Sequence, residues 1–189
     1  MKKIAVLIFA FTVFLWSCGS TTTSSSAAPL SDPIEISVNL TDTTGVGKNI
    51  GSVRAENTEY GLLLAPNLTD LSAGIHGFHV HEKPDCGPAS KDGNIVPGLA
   101  AGGHYDPEGT GKHEGPYSKN AHLGDLPPLI VAEDGTATLP LLAPRVKVAD
   151  LGGRSLTIHA GGDNYSDTPK ALGGGGARVA CGVIAASAN

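Results

Sequence analysis

Positive charge is scarce in this chain of 189 residues: 13 Lys and Arg stand against 18 Asp and Glu, for a formal charge of −5. A nucleic-acid backbone needs a basic footprint, so nucleic acid is excluded as a partner. No stretch forms a basic amphipathic face either. Apolar runs are short. The run at the N-terminus, Ile4 to Trp16, is 13 residues long, whereas a helix crossing a hydrocarbon core of about 30 Å needs roughly 20. Preceded by Lys2 and Lys3 and followed by Ser17 and Cys18, it reads as a secretory signal rather than a membrane span. Removing those two lysines takes the charge from −5 to −7.

Cysteine is rare as well, with three in all. The first closes Leu15-Trp16-Ser17-Cys18, which resembles a bacterial lipobox with Trp16 where a small residue is commoner. This predicts a signal peptide over residues 1–17, a lipid on Cys18, and a Ser/Thr-rich tether over residues 18–33. Gly19 to Ala28 is almost only Ser, Thr, Gly and Ala and has little to bury. Gly19 rather than Asp after the cysteine leans toward the outer membrane, with the protein facing the periplasm and touching the membrane through its lipid alone. With Cys18 lipidated, Cys86 and Cys181 have only each other to pair with in an oxidising compartment. That bridge closes a loop of about 95 residues, worth on the order of 4–5 kcal/mol in the chain-entropy account.

Aromatic residues are few, while Gly (26) and Pro (13) are plentiful, the composition of short strands joined by many turns. Ile34 to Leu40 alternates apolar and polar residues, as a half-buried strand does. Further strands are expected at Ile50–Ala55, Tyr60–Ala65, Gly74–His81, Leu129–Ala132, Thr136–Leu142, Ser155–His159 and Ala177–Ile184. No helix-period pattern lies between them. Eight strands over residues 34–189 predict an all-β domain, a closed barrel or sandwich. Glu82–Leu126 and Ala160–Gly176 resist a strand reading. Loops of that length are functional or disordered, and six of the seven histidines lie in these stretches or within three residues of them.

In Gly74-Ile75-His76-Gly77-Phe78-His79-Val80-His81, residues two apart share a face. Phe78 and Val80 then point to the core, and His79 and His81 point the other way, able to reach one metal ion. His76 shares the parity of Phe78 and reads as structural. His104, His113, His122 and Asp125 follow with the spacing H-x8-H-x8-H-x2-D. Three nitrogens and one carboxylate suit tetrahedral zinc. In Ser155-Leu156-Thr157-Ile158-His159, Leu156 and Ile158 face the core and His159 joins the face of His79 and His81. Several imidazoles in one roughly square set suit copper. Two four-ligand sites built from seven residues require one shared ligand, and His104 is the natural candidate.

Gly77-Phe78-His79-Val80-His81-Glu82, Gly102-Gly103-His104-Tyr105-Asp106-Pro107, His122-Leu123-Gly124-Asp125-Leu126 and Gly175-Gly176-Ala177-Arg178-Val179-Ala180-Cys181-Gly182 together resemble the copper–zinc superoxide dismutases of the bacterial envelope. The similarity runs in order from Ile34 to Ile184. It implies an eight-stranded Greek-key β-barrel, an Ig-like sandwich, with one copper and one zinc per subunit. Copper falls to His79, His81, His104 and His159; zinc falls to His104, His113, His122 and Asp125, with His104 bridging. Asp163 matches a carboxylate behind His79 and His113, and Arg178 an arginine beside the copper. The implied reaction is disproportionation of superoxide to oxygen and hydrogen peroxide, with Arg178 and His104 catalytic. Lys91 and Lys170 are candidates for a positive rim. An insertion between Cys86 and His104, and a short, charge-poor Asn164–Gly176, depart from the eukaryotic pattern; a homodimer is left open. The competing reading is a non-catalytic copper- and zinc-binding envelope protein, which has no use for Arg178.

Overall fold

The computed structural model describes residues 32–186; the signal sequence, Cys18 and the tether as far as Ser31 lie outside the described residues. Eleven strands follow one another: β1 (Ile34–Asp42), β2 (Gly45–Thr58), β3 (Gly61–Leu68), β4 (Gly74–His76), β5 (Phe78–His81), β6 (Ala89–Lys91), β7 (Asn94–Val96), β8 (Leu129–Val131), β9 (Leu141–Ala143), β10 (Arg154–His159) and β11 (Arg178–Ile184). Three short 3-10 turns are the only helical elements among the described residues.

Period-two burial drives the long strands. In β1, Ile36 and Val38 turn inward while Glu35 and Ser37 face solvent; in β3, Leu62, Leu64, Pro66 and Leu68 are buried between less buried neighbours. One seven-stranded antiparallel sheet results, in the order β5-β10-β11-β1-β2-β3-β9, while β4 pairs with β8 and β6 with β7. The sheet curls around a single apolar core. Ile36, Val53, Leu64, Phe78, Leu129, Ala143, Leu156 and Ala180 all belong to it, so every strand except β4, β6 and β7 contributes. This is the expected all-β barrel.

All eight expected strands have counterparts, with three differences. Gly74–His81 is broken at Gly77 into β4 and β5: the Gly77 N–H donates to Gly161 O and its carbonyl accepts from His159 N–H, so it leaves the ladder of β4. The expected Thr136–Leu142 strand is reduced to β9 and a lone bridge between Ala137 and Leu68, because Pro140 has no N–H to give a ladder. The insertion after Cys86, read as loop, carries the β6–β7 hairpin, turned at Asp92-Gly93 with both residues at positive φ (52° and 78°).

Cys86 and Cys181 are joined by a disulfide, their Cα atoms 5.7 Å apart. It fastens the long loop after β5 to the middle of β11, as the cysteine count requires.

Candidate metal centre

β5 is an edge strand whose outer side is closed by the loop itself. Val80 N–H donates to Gly124 O, Tyr105 N–H to Val80 O, and Gly124 N–H to Tyr105 O, at 2.8 to 2.9 Å. His81 faces His104 and His79 faces Asp125 as isolated bridge pairs. Two loop segments thus lie against the one strand that carries His-x-His. Gly124 is required there, since a Cβ would sit 2.3 Å from Val80 O. On the other side β10 pairs with β5, Thr157 opposite His79 and Ser155 opposite His81. A register shift after Ile158 brings His159 opposite Arg178 of β11.

Six histidines and one aspartate converge. His79, His81, His104 and His159 present ligand atoms within 4.8 Å of one another, all buried. A second buried group of the same tightness holds His79, His104, His113 and Asp125. His122 lies just outside it, its Nδ1 3.4 Å from Asp125 Oδ1, and its ring centroid 5.4 Å from that of His104. His104 belongs to both groups. His79 also enters the second, because its ring stacks on His104 at 3.9 Å.

Hydrogen bonds at the rim settle which nitrogen of each ring faces inward. His81 Nδ1 lies 3.0 Å from Gly102 O and His159 Nδ1 3.2 Å from Gly176 O. A carbonyl only accepts, so both protons sit on Nδ1. The two Nε2 atoms, 3.3 Å apart, then direct lone pairs at each other. His79 Nε2 and His113 Nε2 each donate to Asp163, to Oδ2 and Oδ1 at 2.7 Å. That leaves His79 Nδ1 and His113 Nδ1 without a hydrogen-bond partner, together with His104 Nε2, His122 Nδ1 and Asp125 Oδ2. Buried polar atoms are seldom left so. Inward-facing lone pairs around two adjacent points are the donor sets of two cations, and both sets fit copper and zinc.

The electrostatics agree. Burial pushes His79 down to about 3 and His159 to about 4, with neighbouring imidazoles adding to the effect for both; His81 and His104 are lowered by burial too. These rings are neutral at pH 7, as ligands must be. His113 differs: burial lowers it, but Asp125 and Asp163 on its two sides outweigh that and raise it to about 9. Burial opposes ionisation of both carboxylates, yet their histidine partners hold each well below the usual carboxylate range.

Asp163 is wholly buried at its side chain and fits closely under Gly173 (φ 69°), where a Cβ would come 2.0 Å from Asp163 Oδ1. His76 is 2% exposed, with Nδ1 2.6 Å from His159 O and Nε2 2.8 Å from Ser72 O; it belongs to the scaffold, as its parity indicated.

A cavity of ≈ 270 Å³ opens over the first group, walled by His81, His104, His159, Arg178 and Lys91 among others. Arg178 donates to Gly98 O at 2.6 Å and Gly102 O at 2.5 Å. Lys170 is exposed and does not line the cavity. A larger cavity of ≈ 460 Å³, between β1 and β11, has Glu35 as its one ionisable side chain. Sequence reasoning passed over Arg145, whose guanidinium meets the carbonyls of the loop around His122; a single arginine in a turn carries no signature that could have flagged it.

Known proteins resemble the chain throughout this region. Residues 49–184 match the family described as copper/zinc superoxide dismutase (SODC). The superoxide dismutase [Cu-Zn] of Haemophilus parainfluenzae is 54% identical over 84% of this chain and 85% of its own length. Superoxide dismutase [Cu-Zn] 1 of Salmonella typhimurium is 55% identical over 85% of this chain and 91% of its own. Among solved structures, Cu/Zn superoxide dismutase from Brucella abortus shares 49% identity at a TM-score of 0.79, covering 81% of this chain and 99% of that one. Sequence, fold and paired donor sets lead to one assignment: the chain belongs to the copper/zinc superoxide dismutase family.

Proposed function

We propose that the chain dismutates superoxide at the floor of the Arg178 cavity, with copper on His79, His81, His104 and His159 and zinc on His104, His113, His122 and Asp125. The observation that carries this reading is the set of inward-facing lone pairs, beside a cavity that also holds a guanidinium. Copper held there would supply a one-electron redox couple, and zinc an unchanging positive charge. With two protons, two superoxide anions become oxygen and hydrogen peroxide.

The protein's part is attraction, aim and proton handling. A net charge of −5 repels an anion at long range, so capture is local. Arg178 and Lys91 put positive charge on the cavity wall, where low-dielectric walls focus it. Arg178 is held by two carbonyls, which fixes its planar fork toward the anion. His104 Nε2 has no protein partner, while Nδ1 lies 3.0 Å from Asp125 Oδ1 on the zinc side, so this one ring would offer a nitrogen to each ion. Because His104 lines the cavity, its Nε2 is the atom that would take up a proton and pass it to reduced substrate. Asp163 holds two rings from behind, which sets their tautomer and aim.

The same reading puts the protein on the cell envelope, lipidated at Cys18 after cleavage of residues 1–17 and facing the periplasm. The lipobox-like Leu15–Cys18 and the Ser/Thr-rich stretch after it support this. Decay of superoxide followed by pulse radiolysis, with and without copper, tests the activity: a metal-loaded protein that leaves the decay unchanged is no dismutase. Globomycin-sensitive processing and lipid labelling of Cys18 test the anchor, and failure of both sinks it.

A further inference from the structure

Four of the carbonyls around the zinc-side loop point at one side chain. Arg145 donates from Nε to Pro116 O (2.9 Å), from Nη1 to Ala121 O (3.2 Å), and from Nη2 to Gly115 O (3.2 Å) and His122 O (2.6 Å). A guanidinium offers five N–H donors in one plane, and four bonds are made here. The shortest goes to the backbone of His122 itself.

Arg145 is firmly based. It stands between Ala143, the last residue of β9, and Val146, both buried in the core. The chain before it presses so closely on β3 that a Cβ on Gly61 would meet Ala143 O at 2.5 Å and Pro144 Cα at 2.6 Å. Besides Arg145, the loop it grips packs on Tyr165, which lies against Gly115 and the ring of Tyr117. Among the described residues, the other hydrogen bonds of 115–121 stay local: Ser118 Oγ to Glu114 and Asn120 N–H to Ser118 Oγ. His113 is fixed by Asp163 and by Asp167, which accepts from its N–H at 3.0 Å, and His104 by the ladder beside β5. His122 has no side-chain partner of that kind: its Nδ1 is unpaired and its ring makes no hydrogen bond to a fixed acceptor among the described residues. What aims His122 is its backbone: its N–H donates to Lys112 O, and its carbonyl accepts from Asp125 N–H at 3.3 Å and, at the shorter 2.6 Å, from Arg145.

We infer that Arg145 is a positioning residue of the zinc side, a four-bond clamp from the barrel that sets the backbone from which His122 reaches the ion. The inference rests on the reading of His122 as a ligand. It also accounts for why His122 sits at the edge of the cluster: the ring is placed from behind rather than from its far nitrogen. Lysine cannot do this, because a single ammonium presents three donors from one point.

The experiment titrates cobalt(II) into the metal-free full-length protein, in competition with a chromophoric chelator, and reads affinity and the visible absorption of four-coordinate cobalt. Four proteins are compared with wild type: Arg145→Ala, Arg145→Lys, His122→Ala, and the double variant. His122→Ala should weaken cobalt binding and diminish the band; if it changes neither, the ligand reading itself fails. Arg145→Ala should weaken binding by about 10–100-fold, as loss of groups that orient ligands does, and diminish the band, while adding less than about 2-fold in the His122→Ala background. Unaltered affinity and spectrum in Arg145→Ala, beside a weakened His122→Ala, overturn the inference and leave the ligand reading standing. An equal loss in both backgrounds also overturns it, since the arginine would then act on the fold at large. Arg145→Lys preserves charge and stem and decides the matter should the alanine variant not fold: a partial loss upholds the clamp, and wild-type affinity refutes it.

Discussion

Arg178 and His159 are cross-strand partners, paired across β10 and β11 at the point where the register of that ladder shifts. One strand pair therefore delivers an imidazole and a guanidinium to the same cavity. The guanidinium also grips the loop after β5 through Gly98 O and Gly102 O, and Gly102 O accepts from His81 as well. Arg178→Ala would remove the guanidinium from the cavity wall while keeping all four donor histidines of the first group. Arg178→Ala should keep a full complement of copper by metal analysis and lose roughly 10-fold or more in the second-order rate with superoxide, the range that local electrostatic capture supplies. An unchanged rate at low superoxide removes Arg178 from the reaction.

Asp163 is bonded to a ring on each side of the centre, His79 and His113. Asp163→Ala strips both Nε2 protons of their acceptor and frees both rings to turn or to swap tautomer. Metal affinity should fall by about 10–100-fold, on the copper and the zinc side together. Equilibrium dialysis gives the answer; a loss confined to one metal would contradict the bridging role.

Lys91 lies on the cavity wall but in the exposed β6–β7 hairpin, so its contribution is a field and not a contact. Lys91→Glu should slow the reaction several-fold at low ionic strength and approach wild type near 1 M salt, where the screening length is about 3 Å. A deficit that persists at high salt would mean that the hairpin shapes the cavity sterically.

In the metal-free protein, pH should act through the buried imidazoles. His79 and His159 titrate at about 3 and about 4 in the fold, and His81 and His104 are lowered as well, while the unfolded chain takes up these protons near pH 6.5. Between those limits the unfolded state binds more protons. The stability these rings contribute is complete above pH 6.5 and drains away as pH falls toward their folded values. His113, raised to about 9, has the opposite sign: its contribution is complete below pH 6.5 and lost as pH rises through 9, so it does not alter the acid slope. Asp125 and Asp163 matter only below the ordinary carboxylate range. Each fully differential imidazole adds at most about 1.4 kcal/mol per pH unit. The urea midpoint of metal-stripped protein should drop steadily from pH 6.5 to pH 4.5, and a level midpoint would refute it.

The centre was readable because its chemistry is written in local spacing. His79 and His81 two apart in a strand name their shared face, and Asp125 three after His122 marks a ligand-like cluster, without knowledge of the fold. The core was readable for the same reason, from the alternation in β1. The hairpin after Cys86 was not: Asp92-Gly93 is a sound turn signal, but each flanking strand has three residues, too few for a period to register. The break at Gly77 depends on a hydrogen bond to Gly161, 84 positions away, and Arg145 depends on where β9 comes to rest. Contacts of that range leave no trace in a neighbouring residue.

The bonds that Val80 makes to Tyr105 and Gly124 have a bearing on solubility as well as on catalysis. An uncovered strand border invites another chain to add itself, and β5, the end strand of its sheet, would present one. Here the segments that carry His104 and Asp125 lie along that border, so the stretch that completes the donor sets also closes the open side of β5.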